Sequence, residues 1–258
     1  MQALIREGVR LAYQEAGSGA PPIVLVHGWT HDHGYLEPQF EYLRRRHRVV
    51  AVDLRGHGDS DKPDQDYTVA GFADDLAWLG RELGLHRPVV VGHSMGGVVA
   101  LELAARHPEL PGAIVMLDSP VFASPQLLDA VRPVIEGLKT PGYREVQRQL
   151  VAAVSFLPTD DKERAARIVD HMSSAPQRVM ASSFESLFAH DNAAAARACR
   201  VPVLYVGAAH PFADLARFRE LCPDLTTGQA VGAGHYFQLE VPEQVNAMIE
   251  RFIGLNGF

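Results

Sequence analysis

Cysteine is scarce in this 258-residue chain: there are two, Cys199 and Cys222. Two thiols cannot build the multi-bridge framework that stabilises small secreted domains. A single bridge is open to them, but free buried thiols in a cytosolic protein are the reading that redox compartment favours. Long apolar runs are missing as well. No stretch reaches the roughly 18 consecutive apolar residues that span a bilayer. The opening MQALIREGVRLAYQEAG alternates apolar with polar residues and lacks the apolar block of a secretory leader, so the cytoplasm is the expected location. Basic excess is also lacking. Lys and Arg total 24 against 31 Asp and Glu, a net charge of −7, which offers no footprint for nucleic acid and disfavours anionic membranes. No internal repeat or low-complexity run interrupts the chain. A small molecule is the partner that this balance leaves open.

What is present is ordinary globular material, 47% hydrophobic and 21% charged, enough for a sizeable core in one α/β domain. Residues 3 to 15 read as a hairpin turning at Glu7-Gly8. PPIVLVHG, HRVVAVDLRG, RPVVVGH, GAIVMLD and VPVLYVG are short branched apolar runs closed by turns, the pattern of buried parallel strands. Helical patterns lie between and after them, at 36–46, 68–84, 96–107, 212–221 and 242–253. The alternation predicts a mostly parallel sheet with helices on both faces.

One interval breaks the alternation. From about Ser119 to Arg197 no good strand is found, while LLDAVRPVIEGL, REVQRQLVAAVSFL and ERAARIVDHM repeat apolar residues at helical spacing. The expected organisation is a core of residues 1–118 and 198–258 with a helical cap at 119–197. The cap belongs at the C-terminal edge of the sheet, where α/β proteins bind ligands. The cluster RRRHR, Arg44 to Arg48, reads as a solvated helix end whose cations suit the dipole.

VVVGHSMGG carries the chemistry. Gly92-His93-Ser94-Met95-Gly96 matches G-x-S-x-G directly after a strand and before a helix, the context that this motif requires. A serine on so tight a turn projects its hydroxyl from the sheet edge, and the helix N-terminus behind it favours developing negative charge.

With VLVHGW, VDLRGHGDSDKP and GAGHYFQLEVPEQV in the same order along the chain, the sequence resembles the α/β-hydrolase superfamily over nearly its full length. The resemblance implies the α/β-hydrolase fold and says little about substrate, since that fold hosts many reactions. By position, Ser94 becomes the nucleophile and His235 its base, and the backbone N–H groups of Trp29 and Met95 become the oxyanion hole. The family's commonest acid position, just past Gly207, holds Ala209 and His210. Two acids remain. Asp118, at the end of GAIVMLD, is the better placed and matches an arrangement found in parts of the family; Asp214 is the alternative. His57, His93 and His107 read as turn, elbow and helix-end residues. Asp53, Asp59 and Asp191 read as scaffold.

The implied activity is a serine hydrolase of carboxylesterase type (EC 3.1) that cleaves a small ester or lactone through an acyl-enzyme on Ser94, with no cofactor and no metal. C–C bond cleavage stays within the same class. Phe122, Phe156, Phe184 and Phe188 are candidate pocket walls. HGWTHDH keeps another class open, because His31 and His33 follow the oxyanion loop as candidate substrate-binding residues. That run, with an acid after the earlier strand, is similar to cofactor-independent dioxygenases of N-heteroaromatic, quinolone-type substrates, which use a His–Asp dyad, here His235–Asp118. A binding protein with a vestigial triad is the third class.

Overall fold

Branched apolar side chains fill a pleated surface that is covered on both sides, and the runs rich in them form the central strands. The computed structural model describes residues 1–258, apart from the side chain of Pro125. Its strands are β1 (Gln2–Arg6), β2 (Val9–Ala16), β3 (Ile23–Val26), β4 (Val49–Val52), β5 (Val89–His93), β6 (Ala113–Leu117), β7 (Val203–Gly207) and β8 (Thr226–Gln229). They form one sheet in the order β1-β2-β4-β3-β5-β6-β7-β8. The β1–β2 and β2–β4 pairs are antiparallel; every pair from β4 to β8 is parallel.

The two-residue period of a strand sends alternate side chains to opposite layers. Ile23, Leu25, Val89, Val91 and Val115 pack on one face, against α1 (Glu37–Leu43) and later α11 (Pro242–Leu255). Val24, Val26, Val90, Ile114 and Met116 pack on the other, against α2 (Val69–Glu82) and α3 (Met95–Arg106). Both layers are buried, so the strands read as unbroken apolar runs. β8 was not foreseen. Its sequence, TTGQ, is a half-exposed edge strand with no apolar pattern to mark it. The first helix is shorter than expected, since Arg44 closes it as its C-cap.

Five helices lie between β6 and β7: α4 (Pro125–Leu138), α5 (Tyr143–Val154), α6 (Lys162–Ser173), α7 (Gln177–Ala189) and α8 (Asn192–Ala198). No strand occurs there among the described residues. α5 packs on α4 and α6, and α7 packs on α4 and α2. α8 instead packs on α3, with Asp191 as its N-cap. α9 (Leu215–Leu221) follows β7, and α10 (Phe237–Glu240) leads into α11. Among the described residues no helix is long and apolar enough to cross a membrane. Cys199 and Cys222 are free, and burial pushes the Cys222 thiol up to about 11.

Candidate active site

Because β3 to β8 run parallel, their C-terminal turns share one edge of the sheet. Ser94 follows β5 there with φ 52° and ψ −118°. That conformation is costly for a side-chain-bearing residue, on the order of 1–3 kcal/mol, and the surroundings hold it in place. Its N–H donates to the Leu117 carbonyl at 2.8 Å, which ties the elbow to the end of β6. A Cβ on Gly92 would lie 2.2 Å from Gly96, and one on Gly96 would lie 2.2 Å from the Val26 carbonyl. The turn therefore admits only glycine on both sides. Met95 is the first residue of α3, so its N–H has no acceptor within the helix.

Asp118 follows β6, also at positive φ (46°). Its side chain is fully buried, and Oδ2 accepts from His235 Nδ1–H at 2.7 Å. Oδ1 accepts the N–H of Ala208 at 3.2 Å. The turn after β7 thus supplies a backbone donor to the carboxylate beside it, and Ala209 N–H bonds the carbonyl of Ala233, just before the histidine. Asp214 is engaged elsewhere: it caps α9, accepting from Arg217 N–H at 3.0 Å. It is the N-cap and not a first-turn residue, because α9 starts three residues later than the pattern at 212 suggests. The Tyr205 hydroxyl donates to the Ser119 carbonyl at 3.1 Å. Burial first, and then the charge of Asp118, hold that phenol well above its ordinary range.

A carboxylate oxygen accepts, so the contact is read as a bond from His235 Nδ1–H, and Nε2 is the ring nitrogen turned away from Asp118. The His235 backbone is held as well. His93 Nε2–H donates to its carbonyl at 3.0 Å, and the two rings lie 4.6 Å apart. Burial, then the neighbouring His235, keep His93 well below the ordinary imidazole range.

Ser94 and His235 line one cavity of about 100 Å³, together with Trp29 and His31. Its remaining walls are mostly apolar side chains of α4, α5 and α7, including Phe184 and Phe188. No Lys, Arg, Asp or Glu lines it among the described residues. The Trp29 ring packs tilted against Phe184, centroids 4.5 Å apart, and its N–H donates to the Met180 carbonyl of α7 at 2.9 Å. Phe156 does not line this cavity but stacks on Tyr236, which does. Phe122 packs on Phe218 instead.

The two loop histidines diverge. His31 is buried against Tyr35 and Tyr236, and neither ring nitrogen has a hydrogen-bond partner among the described residues. Burial, reinforced by the surrounding histidines, keeps it neutral, well below the ordinary range. His33 lies outside the cavity lining. Its backbone N–H and its Nδ1 both bond Asp53 Oδ1, at 2.8 and 2.9 Å. Among the described residues no group of three or more His, Cys, Asp or Glu is arranged to hold a metal ion. The sequence reading passed over His93 and the N–H of Ala208. The variable position of a motif gives no signal for the first, and a backbone donor has no side-chain signature for the second.

The family model of the alpha/beta hydrolase fold matches residues 21–242. The chain is 32% identical over 257 residues to 2-(acetamidomethylene)succinate hydrolase of Mesorhizobium japonicum, covering 95% of this chain and 92% of that protein. Among solved structures, a thermophilic esterase from Thermogutta terrifontis matches with a TM-score of 0.87 at 25% identity, over 100% of both chains. The enol-lactonase from Burkholderia xenovorans LB400 matches with a TM-score of 0.85 at 26% identity, over 98% of this chain and 100% of that one.

Proposed function

Because the chain belongs to the α/β hydrolase fold family and is a hydrolase, we propose that it cleaves small, uncharged carboxylic esters or lactones through an acyl-enzyme on Ser94. The observation that carries this reading is the strained Ser94 sharing a cavity with a His235 that is bonded to buried Asp118. Ser94 Oγ attacks the carbonyl carbon while His235 Nε2 takes its proton. Asp118 holds the tautomer and stabilises the imidazolium. The N–H groups of Trp29 and Met95 receive the oxyanion. His235 then protonates the leaving alcohol, and a water deprotonated by His235 releases the acid and regenerates Ser94. Helices α4 to α7 serve as the lid.

The walls favour an apolar acyl group. The cavity is about 100 Å³ and its lid-side walls are mostly apolar, which suits an uncharged group better than a charged one. The substrate of the Mesorhizobium relative is a succinate, with two carboxylates. Among the described residues no lysine or arginine lines the cavity to meet such charges, and burying an unpaired carboxylate is costly. His31 supplies one neutral hydrogen-bonding group to the substrate. Short p-nitrophenyl esters test the reading: Ser94→Ala should lower kcat/KM at least ~10³-fold. Turnover retained in that variant would sink it.

A second reading is favoured by one observation, the neutral and unpartnered His31 in a cavity whose acid sits after β6. In it the His235–Asp118 dyad deprotonates a hydroxyquinolone for reaction with oxygen, and Ser94 is dispensable. Oxygen uptake on hydroxyquinolones that survives Ser94→Ala would put this reading in place of the first.

A further inference from the structure

The loop between α5 and α6 touches the histidine loop at three consecutive residues. The Ser155 carbonyl accepts the His235 N–H at 2.9 Å. Asp160 Oδ1 accepts the Gly234 N–H at 3.3 Å, and the Phe156 ring stacks on Tyr236 at 5.4 Å. Asp160 is 5% exposed, and its Oδ2 accepts the Leu157 N–H at 2.7 Å. One carboxylate therefore closes its own loop and grips the histidine loop at the same time. The fit leaves no slack. A Cβ on Gly234 would lie 2.5 Å from Asp160 Oδ2 and 2.8 Å from the Ser155 carbonyl.

We infer that Asp160 is a positioning residue that makes the seating of His235 depend on the helical insertion being closed. The inference rests on His235 being the general base. Its physical ground is that the Gly234 and His235 N–H groups find their acceptors on the insertion and not on the sheet. His93 fixes the His235 carbonyl from the elbow side, so the α5–α6 loop completes a two-sided grip on the residue that carries the imidazole. When the insertion lifts, both N–H groups lose their protein acceptors, and the bond from Nδ1 to Asp118 must hold the ring without them. The base is then fully ordered only when the cavity is covered, and an acyl-enzyme formed under cover is hydrolysed under cover.

The test pairs kinetics with amide hydrogen exchange on the full chain. Asp160→Ala should lower kcat on p-nitrophenyl butanoate about 10- to 100-fold, with KM held within about twofold, because a base displaced by about 1 Å costs turnover more than binding. Exchange at the Gly234 and His235 amides should quicken about tenfold or more relative to β5. Asp160→Asn keeps one oxygen acceptor but sets its NH2 against the other backbone N–H, so it should recover only part of both. Arg178→Ala removes a different contact of the insertion, with Asp64 and Asp66, and should leave kcat within about twofold. A purely structural Asp160 would lower the unfolding midpoint while leaving kcat per folded molecule and the two amides unchanged, and that result overturns the inference. Ester turnover surviving in Ser94→Ala would instead sink the hydrolase reading, and the exchange data would still judge the coupling.

Discussion

Two histidine–aspartate pairs sit at the same edge of the sheet, His235–Asp118 at 2.7 Å and His33–Asp53 at 2.9 Å. In each, Nδ1 meets a carboxylate with no exposed surface. Their surroundings separate them. Asp53 is saturated, with Oδ1 taking two bonds from His33 and Oδ2 taking the Asp59 N–H at 2.8 Å. Burial pushes its carboxyl up, but the bond from His33 leads the opposing effects and the group settles at about 2. That same bond raises His33 above the ordinary imidazole range. His33 does not line the cavity, whereas His235 lines it beside Ser94. An imidazole bonded to a carboxylate is thus a common structural device, and becomes a candidate base only where it also lines a cavity beside a nucleophile.

The comparison is most easily broken by removing each carboxylate in turn. Asp118→Asn should lower ester kcat/KM about 10⁴-fold by spoiling the tautomer of the proposed base; a loss under about tenfold would leave the two pairs functionally alike. Asp53→Asn should act on stability. Losing a buried, fully bonded carboxylate costs about 3 kcal/mol, which urea unfolding would register, while kcat per folded molecule stays within about threefold. Equal damage to kcat from both substitutions would collapse the distinction.

The smallest effect is a pH dependence. His33 is raised from 6.5, so its contribution is complete below that value and is lost as pH climbs through the raised one. Asp53 falls from 3.8 to about 2, so its contribution is complete above 3.8 and is lost as pH falls toward 2. The pair stabilises fully only between those limits. His33→Gln should flatten the alkaline limb, by under ~1 kcal/mol for a pair that is partly solvated. Urea midpoints at pH 5 and pH 9 would check it, and an unchanged slope would argue against a charged His33.

How much of this could be read from residues alone follows the kind of interaction involved. The central strands and the Ser94 elbow were legible because each demands particular residue types at fixed spacing: branched apolar runs in one case, glycines on both sides of a strained serine in the other. Asp118, the proposed acid, could be singled out only by way of the resemblance, and Ala209 marked the commoner position that holds no carboxylate. What lay hidden was three-dimensional. His31 and His33 are two residues apart in one loop, and nothing in HGWTHDH tells which ring turns inward. Ala208 acts through its backbone. Asp160 lies 74 residues before the glycine that it grips. β8 has no apolar pattern because one flank of it is the open edge of the sheet.

The chain has two tryptophans. Trp78 rides on α2, while the Trp29 indole lies in the cleft with its N–H bonded to the Met180 carbonyl of α7. That single bond gives the protein its own optical gauge. Parting α7 from the sheet would expose the indole to water and move its fluorescence to longer wavelength, so the opening of the cleft can be timed by light emission with no label attached.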